Sequence, residues 1–159
     1  MDVQQIEVVA QAYMVYEQAI LLLKITSTRN DKGYIWRPIG GKTTKRSSYS
    51  HARGTQILHP EGLLRPQIAA YRANYTLFEI GGSLLYNYDI QNSPNNNHFD
   101  ITLAHYGVFL QPPGLESRNV QLFTQTALEE LLQQGTVEEY VCRWSKQAFS
   151  LAQMFSHPN

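Results

Sequence analysis

The sequence predicts a single α/β fold, and three observations predict it. The first quarter is dense in β-branched and aromatic residues, the last quarter carries one long apolar stripe at helical spacing, and the composition suits a packed interior. With 159 residues, 43% of them hydrophobic, the chain can bury one sizeable core. No internal repeat divides it, so residues 1–159 are read as one domain. There is no basic-plus-apolar leader and no apolar run of roughly 18 residues, which argues against a membrane partner and makes a cytoplasmic location the expectation. The lone cysteine, Cys142, excludes an internal disulfide and a cysteine-rich zinc site, and it reads as a buried filler.

Residues 6–16 and 19–25 form a predicted hairpin with Glu17 and Gln18 at its turn, because β-branched and aromatic side chains dominate both sides. A polar loop follows, and Tyr34, Ile35 and Trp36 lead into Arg37-Pro38-Ile39-Gly40-Gly41-Lys42. Residues 75–90 and 101–110 read as two further strands, with Gly81-Gly82 marking a bulge or bend in the first. Asn92-Ser93-Pro94-Asn95-Asn96-Asn97 and Gln111-Pro112-Pro113-Gly114 are turn-forming. Thr126 and Glu129 have capping-box spacing for a short helix around Leu128. Val137, Val141, Trp144, Ala148, Leu151 and Phe155 recur at steps of four and three, the stripe of a final helix. Glu138 and Glu139 near its start and Arg143 and Lys146 further along suit its dipole.

The neutral total, 13 Lys and Arg against 13 Asp and Glu, hides a segregated molecule. Residues 32–78 hold eight of the cations, Lys32, Arg37, Lys42, Lys45, Arg46, Arg53, Arg65 and Arg72, against the single carboxylate Glu61, a local charge of +7. Such asymmetry implies an anionic partner. Gly40-Gly41-Lys42-Thr43-Thr44-Lys45-Arg46-Ser47-Ser48 gathers small residues, hydroxyls and cations ahead of a predicted helix. Free N–H groups and Lys or Arg at such a place hold phosphate oxygens, although the spacing is not that of a Walker loop. The candidate ligand-binding residues are Lys42, Lys45, Arg46 and Arg53, with Trp36 or Tyr49 as a stacking surface; a solvated basic loop is the bland alternative. Tyr34, Trp36, Tyr49, Tyr71 and Tyr75 also interleave with these cations, a mix that can bind RNA by stacking and backbone contacts. An overall pI near 7.0 weighs against strong nonspecific binding.

Three segments together resemble the Nudix hydrolases. The approach through Trp36 to Gly41 looks like that family's Trp-x-Leu-Pro-Gly-Gly with the Leu-Pro order reversed. The Nudix box, G-x5-E-x7-R-E-U-x-E-E-x-G-U with U a bulky apolar residue, fits from Gly41 without a gap. It places Ile57, Gly62 and Leu63 on their apolar and glycine positions and Ala52 where the box helix has a small residue. Residues 119–155 resemble the family's ending, a strand and short helix, Gly135, then a long helix. The resemblance implies an α/β/α Nudix-like sandwich with a mixed β-sheet, and a homodimer as a possible assembly. The chemistry departs from the pattern. Ser47 replaces the first glutamate, Thr55-Gln56 the Arg-Glu pair, and His59 and Pro60 the two glutamates that hold magnesium. Opening the box at Gly40 recovers no glutamate at the metal positions either. No metal site and no cofactor are therefore expected, and ordinary Nudix hydrolysis should be absent or very weak, since hard cations need oxygen-rich anionic cages. Pro60 should also shorten or distort the box helix.

If the fold has been redirected to other chemistry on a small metabolite, the candidate groups are Glu79, His98 and Asp100. His98 and Asp100 share one face of an extended strand and His105 lies on the other, and a His–Asp pair can serve as a general base. His51 and His59 lie in the box region. The RNA alternative is similar to one Nudix-fold family, the small subunit of a messenger-RNA cleavage factor, which binds RNA after losing its hydrolytic glutamates.

Overall fold

Two strands dense in β-formers, β1 (Gln5–Tyr16) and β2 (Ala19–Thr26), close on a two-residue turn. Glu17 takes a left-handed conformation there, at φ 56°. The computed structural model describes residues 5–28, 30–46, 55–57, 59–80, 83–84, 87–92 and 98–156. The remaining elements follow in order: β3 (Tyr34–Arg37), β4 (Ile39–Lys42), β5 (Thr44–Arg46), β6 (Thr55–Ile57), α1 (Pro60–Ala69), β7 (Tyr75–Leu77), β8 (Glu79–Ile80), β9 (Ser83–Leu84), β10 (Asn87–Asn92), β11 (His98–Phe109), β12 (Val120–Thr124), α2 (Gln125–Gln133) and α3 (Glu139–Ser156).

Eight of these strands form one mixed sheet along the path β10-β11-β1-β2-β12, with β3 joined to β2, β4 to β1 and β7 to β11. Strand β1 is its axis. It runs parallel to β11 from Gln5↔His98 to Val15↔Val108 and antiparallel to β4 from Val9↔Lys42 to Ala12↔Ile39. Its middle is buried without a break, because both faces of the sheet are covered. Ala10, Ala12 and Met14 pack with Leu21, Ile39, Phe109 and the α1 residues Leu64 and Ile68. The alternate residues Tyr13 and Val15 pack with Ile20, Leu22, Ala104, Tyr106 and the α3 residues Val141, Trp144 and Ala148. The period of two therefore builds an α/β/α sandwich.

The last helix follows its sequence pattern closely. Val141, Trp144 and Ala148 are buried, Leu151 is half-buried and Phe155 emerges at the end. Cys142 is buried there as expected, its thiol facing the Leu128 carbonyl at 3.8 Å and pushed up in pKa chiefly by burial. Helix α2 ends on Gly135 at φ 73°, where the amides of Gly135 and Thr136 return to the Leu132 and Leu131 carbonyls at 3.1 and 3.0 Å. Among the described residues, no helix is long and apolar enough to cross a membrane.

Three expectations need correction. The α2 cap is Thr124, whose hydroxyl accepts from the Ala127 amide at 3.2 Å, and not Thr126. The expected strand over residues 75–90 is broken into β7, β8, β9 and the start of β10, since its apolar run faces different neighbours in turn; the bend expected at Gly81-Gly82 lies outside the described residues. Residues 55–57, expected in the box helix, form β6 against β5, and the helix begins only at Pro60. Proline at a first helical position needs no amide partner and presets φ, so it starts α1 rather than interrupting it. His59 just before it is extended, at ψ 125°, as the residue before a proline prefers.

Candidate functional site

The sequence Arg37-Pro38-Ile39-Gly40-Gly41-Lys42 is held against the centre of the sheet by pairing with β1. Gly40 lies so close to β1 that a Cβ there would run into the Ala10 carbonyl oxygen and stand 3.0 Å from the Gln11 Cα. Only glycine permits that approach. Ile39 is fully buried, whereas Lys42, opposite Val9, is exposed as β4 ends. The chain then enters β5, which pairs with β6 through Thr44↔Ile57, Lys45↔Gln56 and Arg46↔Thr55. The register sets Thr44 opposite Ile57, three residues before α1 begins, and carries Lys45 and Arg46 away from that helix. Tyr49, His51 and Arg53 lie outside the described residues.

The lone carboxylate of this region, Glu61, is in the first turn of α1. Arg65, one turn later, donates to it through Nε at 3.2 Å and reaches the Tyr75 hydroxyl through Nη1 at 3.3 Å. These hydrogen bonds raise the Arg65 pKa, Tyr75 having the larger effect. Glu61 therefore has a cation of its own within the helix. Arg37 likewise pairs with Glu138, at 3.4 Å.

Trp36 is not placed to stack a ligand. It is 6% exposed, set edge-on to Phe123 with centroids 4.7 Å apart, and its amide donates to the Thr136 carbonyl at 2.8 Å. Its ring is part of the core on the α3 side.

The enzyme candidates are spread out. Phe78, beside Glu79, donates its amide to the Tyr106 carbonyl, while His98 and Asp100 sit at the far end of β11. Six to eight strand positions separate Tyr106 from them, roughly 20–26 Å. Asp100 has different company that sequence reasoning missed: Glu7 is its partner on β1 and Gln91 its partner on β10, with Asp89 two pairs further along, opposite Thr102. The parallel β1–β11 pairing that creates this acidic grouping joins distant parts of the chain, and no local signal reveals it.

On the α1 side of β11 lies His105, 1% exposed. Burial pushes its pKa below the ordinary 6.5, against the raising effects of the Leu103 backbone, the Glu61 charge and the Gln11 backbone, and His59 adds to the fall. The unfolded chain therefore takes up this proton first as pH drops. His105 costs the fold nothing above pH 6.5 and progressively destabilises it as pH falls from there through its lowered native value. His105→Gln should flatten the pH dependence of the melting midpoint between about pH 6.5 and 5, before most carboxylates titrate. An unchanged slope would contradict a buried neutral imidazole.

The α3 side carries a buried polar relay that the sequence pattern did not single out. The Tyr13 hydroxyl donates to Gln11 Oε1 at 2.9 Å, and Gln11 Nε2 donates to the Tyr140 hydroxyl at 3.2 Å. Burial, followed by the neighbouring Tyr140, holds the Tyr13 pKa well above 10.0, so the phenol stays protonated. Among the described residues, no group of three or more His, Cys, Asp or Glu is arranged to hold a metal ion.

A NUDIX-family hydrolase from Clostridium perfringens superimposes over 91% of this chain and 97% of its own, with a TM-score of 0.53 and 15% identity. The ORF135 protein of E. coli covers 98% and 96%, with a TM-score of 0.55 and 14% identity. The fold is that of the Nudix hydrolases. A NUDIX hydrolase from Nitrosomonas europaea agrees, at 91% and 90% coverage, a TM-score of 0.53 and 10% identity. No protein-family profile and no curated protein matches the sequence. The Nudix fold thus persists here at a sequence distance where shared architecture does not specify chemistry.

Proposed function

We propose that this Nudix-fold protein binds a phosphorylated small molecule through fixed cations and lacks the magnesium centre of a diphosphate hydrolase. The observation that carries the reading is the donor set: neither plausible anchoring of the box supplies the carboxylates. Counted from Gly41, the metal positions are His59 and Pro60. The helix that follows this segment and packs on the sheet is α1, however, and its first-turn Glu61 offers a second anchor for the leading glutamate. Counting from there puts the Arg-Glu pair at Ala69-Ala70, the apolar residues at Tyr71 and Leu77, and the metal pair at Ala73-Asn74. Ala73 is buried and has only a methyl group. A methyl and an amide do not make the anionic oxygen cage that a hard divalent ion needs, so the residues present do not fit the metal that the fold implies.

What the segment has instead is positive charge. Lys42, Lys45, Arg46 and Arg53 can neutralise phosphate oxygens by charge-assisted hydrogen bonds, and the one acid within residues 32–78, Glu61, is paired with Arg65. Lys and Arg lower no bound water's pKa, so they hold the ligand without generating a metal hydroxide. Replacing Lys45 and Arg46 together by alanine should weaken binding of nucleoside diphosphates about tenfold or more, given roughly 1.5–3 kcal/mol for a hydrogen bond to a charged group. The urea midpoint should stay nearly constant, since β5–β6 is separate from the main sheet. Titration of wild type and variant with a panel of phosphorylated metabolites checks this, and equal affinities would remove these two residues from the site.

A further inference from the structure

At the other end of β1 from Lys42 is a groove that the anion site does not use. We infer that it binds an apolar amine, with the hydrocarbon lying in the groove and the ammonium group against Glu17. The groove has a volume of about 760 Å³, and among the described residues Glu17 is the one charged member of a lining otherwise made of Val15, Val108, Phe109, Leu110, Ala152, Met154 and Phe155. A mostly apolar concavity of a few hundred Å³ with a sparing polar contribution is the usual form of a small-molecule site. Its apolar surface is open to solvent: Leu110 is 53%, Met154 73% and Phe155 44% exposed.

Glu17 supplies the second observation. It occupies the β1–β2 turn at φ 56°, a conformation that glycine or asparagine adopts at lower cost. A local rule broken at the rim of a cavity points to a role for the side chain. The same residue borders a second hollow of about 270 Å³, lined by Gln18, Thr124, Gln125, Thr126, Phe149 and Gln153. That side holds the first turn of α2, whose amide dipoles favour anions. The ammonium therefore belongs on the groove side of Glu17, next to hydrocarbon. A carboxylate is the complement of a cation, so the charge of the rim selects an amine over a neutral or acidic ligand of the same shape. The groove lies at Val15 to Glu17, whereas Lys42 pairs with Val9, roughly 20 Å away along the strand.

A matched set of probes, 4-phenylbutylamine, 4-phenylbutanol and 4-phenylbutyrate, tests the inference by NMR titration of the full chain. The amine should bind roughly threefold to fivefold more tightly than the alcohol, the upper part of the range for an exposed ion pair, and the acid should bind least. Glu17→Gln should bring the amine to the affinity of the alcohol and leave the alcohol unchanged, and Phe155→Ala should weaken all three. Equal binding of the three probes by the wild type, a preference for the amine that survives in Glu17→Gln, or no binding of the amine would overturn it. So would a concentration-dependent dimer abolished by Met154→Glu, which would assign the groove to a second copy of the chain. The anion-site titration is read independently of all these outcomes.

Discussion

Gly40→Ala is expected to destabilise the fold by about 3 kcal/mol or more, the upper end for forced overpacking, while Gly41→Ala costs well under about 1 kcal/mol. The two glycines are adjacent in sequence and equal in motif, yet their surroundings differ. A Cβ on Gly40 would collide with the Ala10 carbonyl oxygen, and backbone cannot swing aside as a side-chain end can. Relief requires β4 to separate from β1, losing the pairs that also seat fully buried Ile39. A Cβ on Gly41 meets only Leu63 Cδ2, at 3.8 Å, an ordinary van der Waals contact. Urea unfolding of both variants measures the difference directly. Similar midpoints would mean that β4 does not lie against β1 as described.

Trp36→Ala should cost about 3–5 kcal/mol, the range for deleting a large buried aromatic. The indole fills the space between β3, Phe123 and the residues that lead into α3, and its own backbone bonds the strand to Thr136. A ligand-stacking role predicts the opposite balance, a large loss of affinity with a small loss of stability. Measuring the urea midpoint and the affinity for a phosphorylated ligand in the milder Trp36→Phe variant separates the two. Near-native affinity in a less stable protein is the result expected from the core position.

This residue shows where sequence reading reached its limit. Aromatic character beside a basic run suits stacking and core packing equally, and only the layer above the strand decides between them. The β1–β2 hairpin and α3 were legible to within a residue or two because their patterns are local, a two-residue turn between β-rich runs and a stripe at steps of three and four. The box region was not. A gapless match of spacing placed a helix where β6 lies, because motif counting carries no information on a strand pair inserted before the helix, whereas Pro60 marked the true start. The burial of His105 was not legible, because it depends on α1 arriving over it from elsewhere in the chain. The pairing of Asp100 with Glu7 is hidden for the same reason: the parallel β1–β11 ladder is set by the global fold.

The central claim is that fixed cations, in place of a bound divalent ion, serve a phosphorylated ligand in a Nudix fold. Its most direct test is the affinity of the wild-type protein for a nucleoside or metabolite diphosphate, measured by calorimetric titration in chelator and again in excess magnesium, with release of the hydrolysis product followed in the same samples. Binding of the same strength in chelator, with no product in either condition, is the predicted result. Binding that appears only with magnesium, accompanied by product, would contradict the claim and return the protein to the hydrolases.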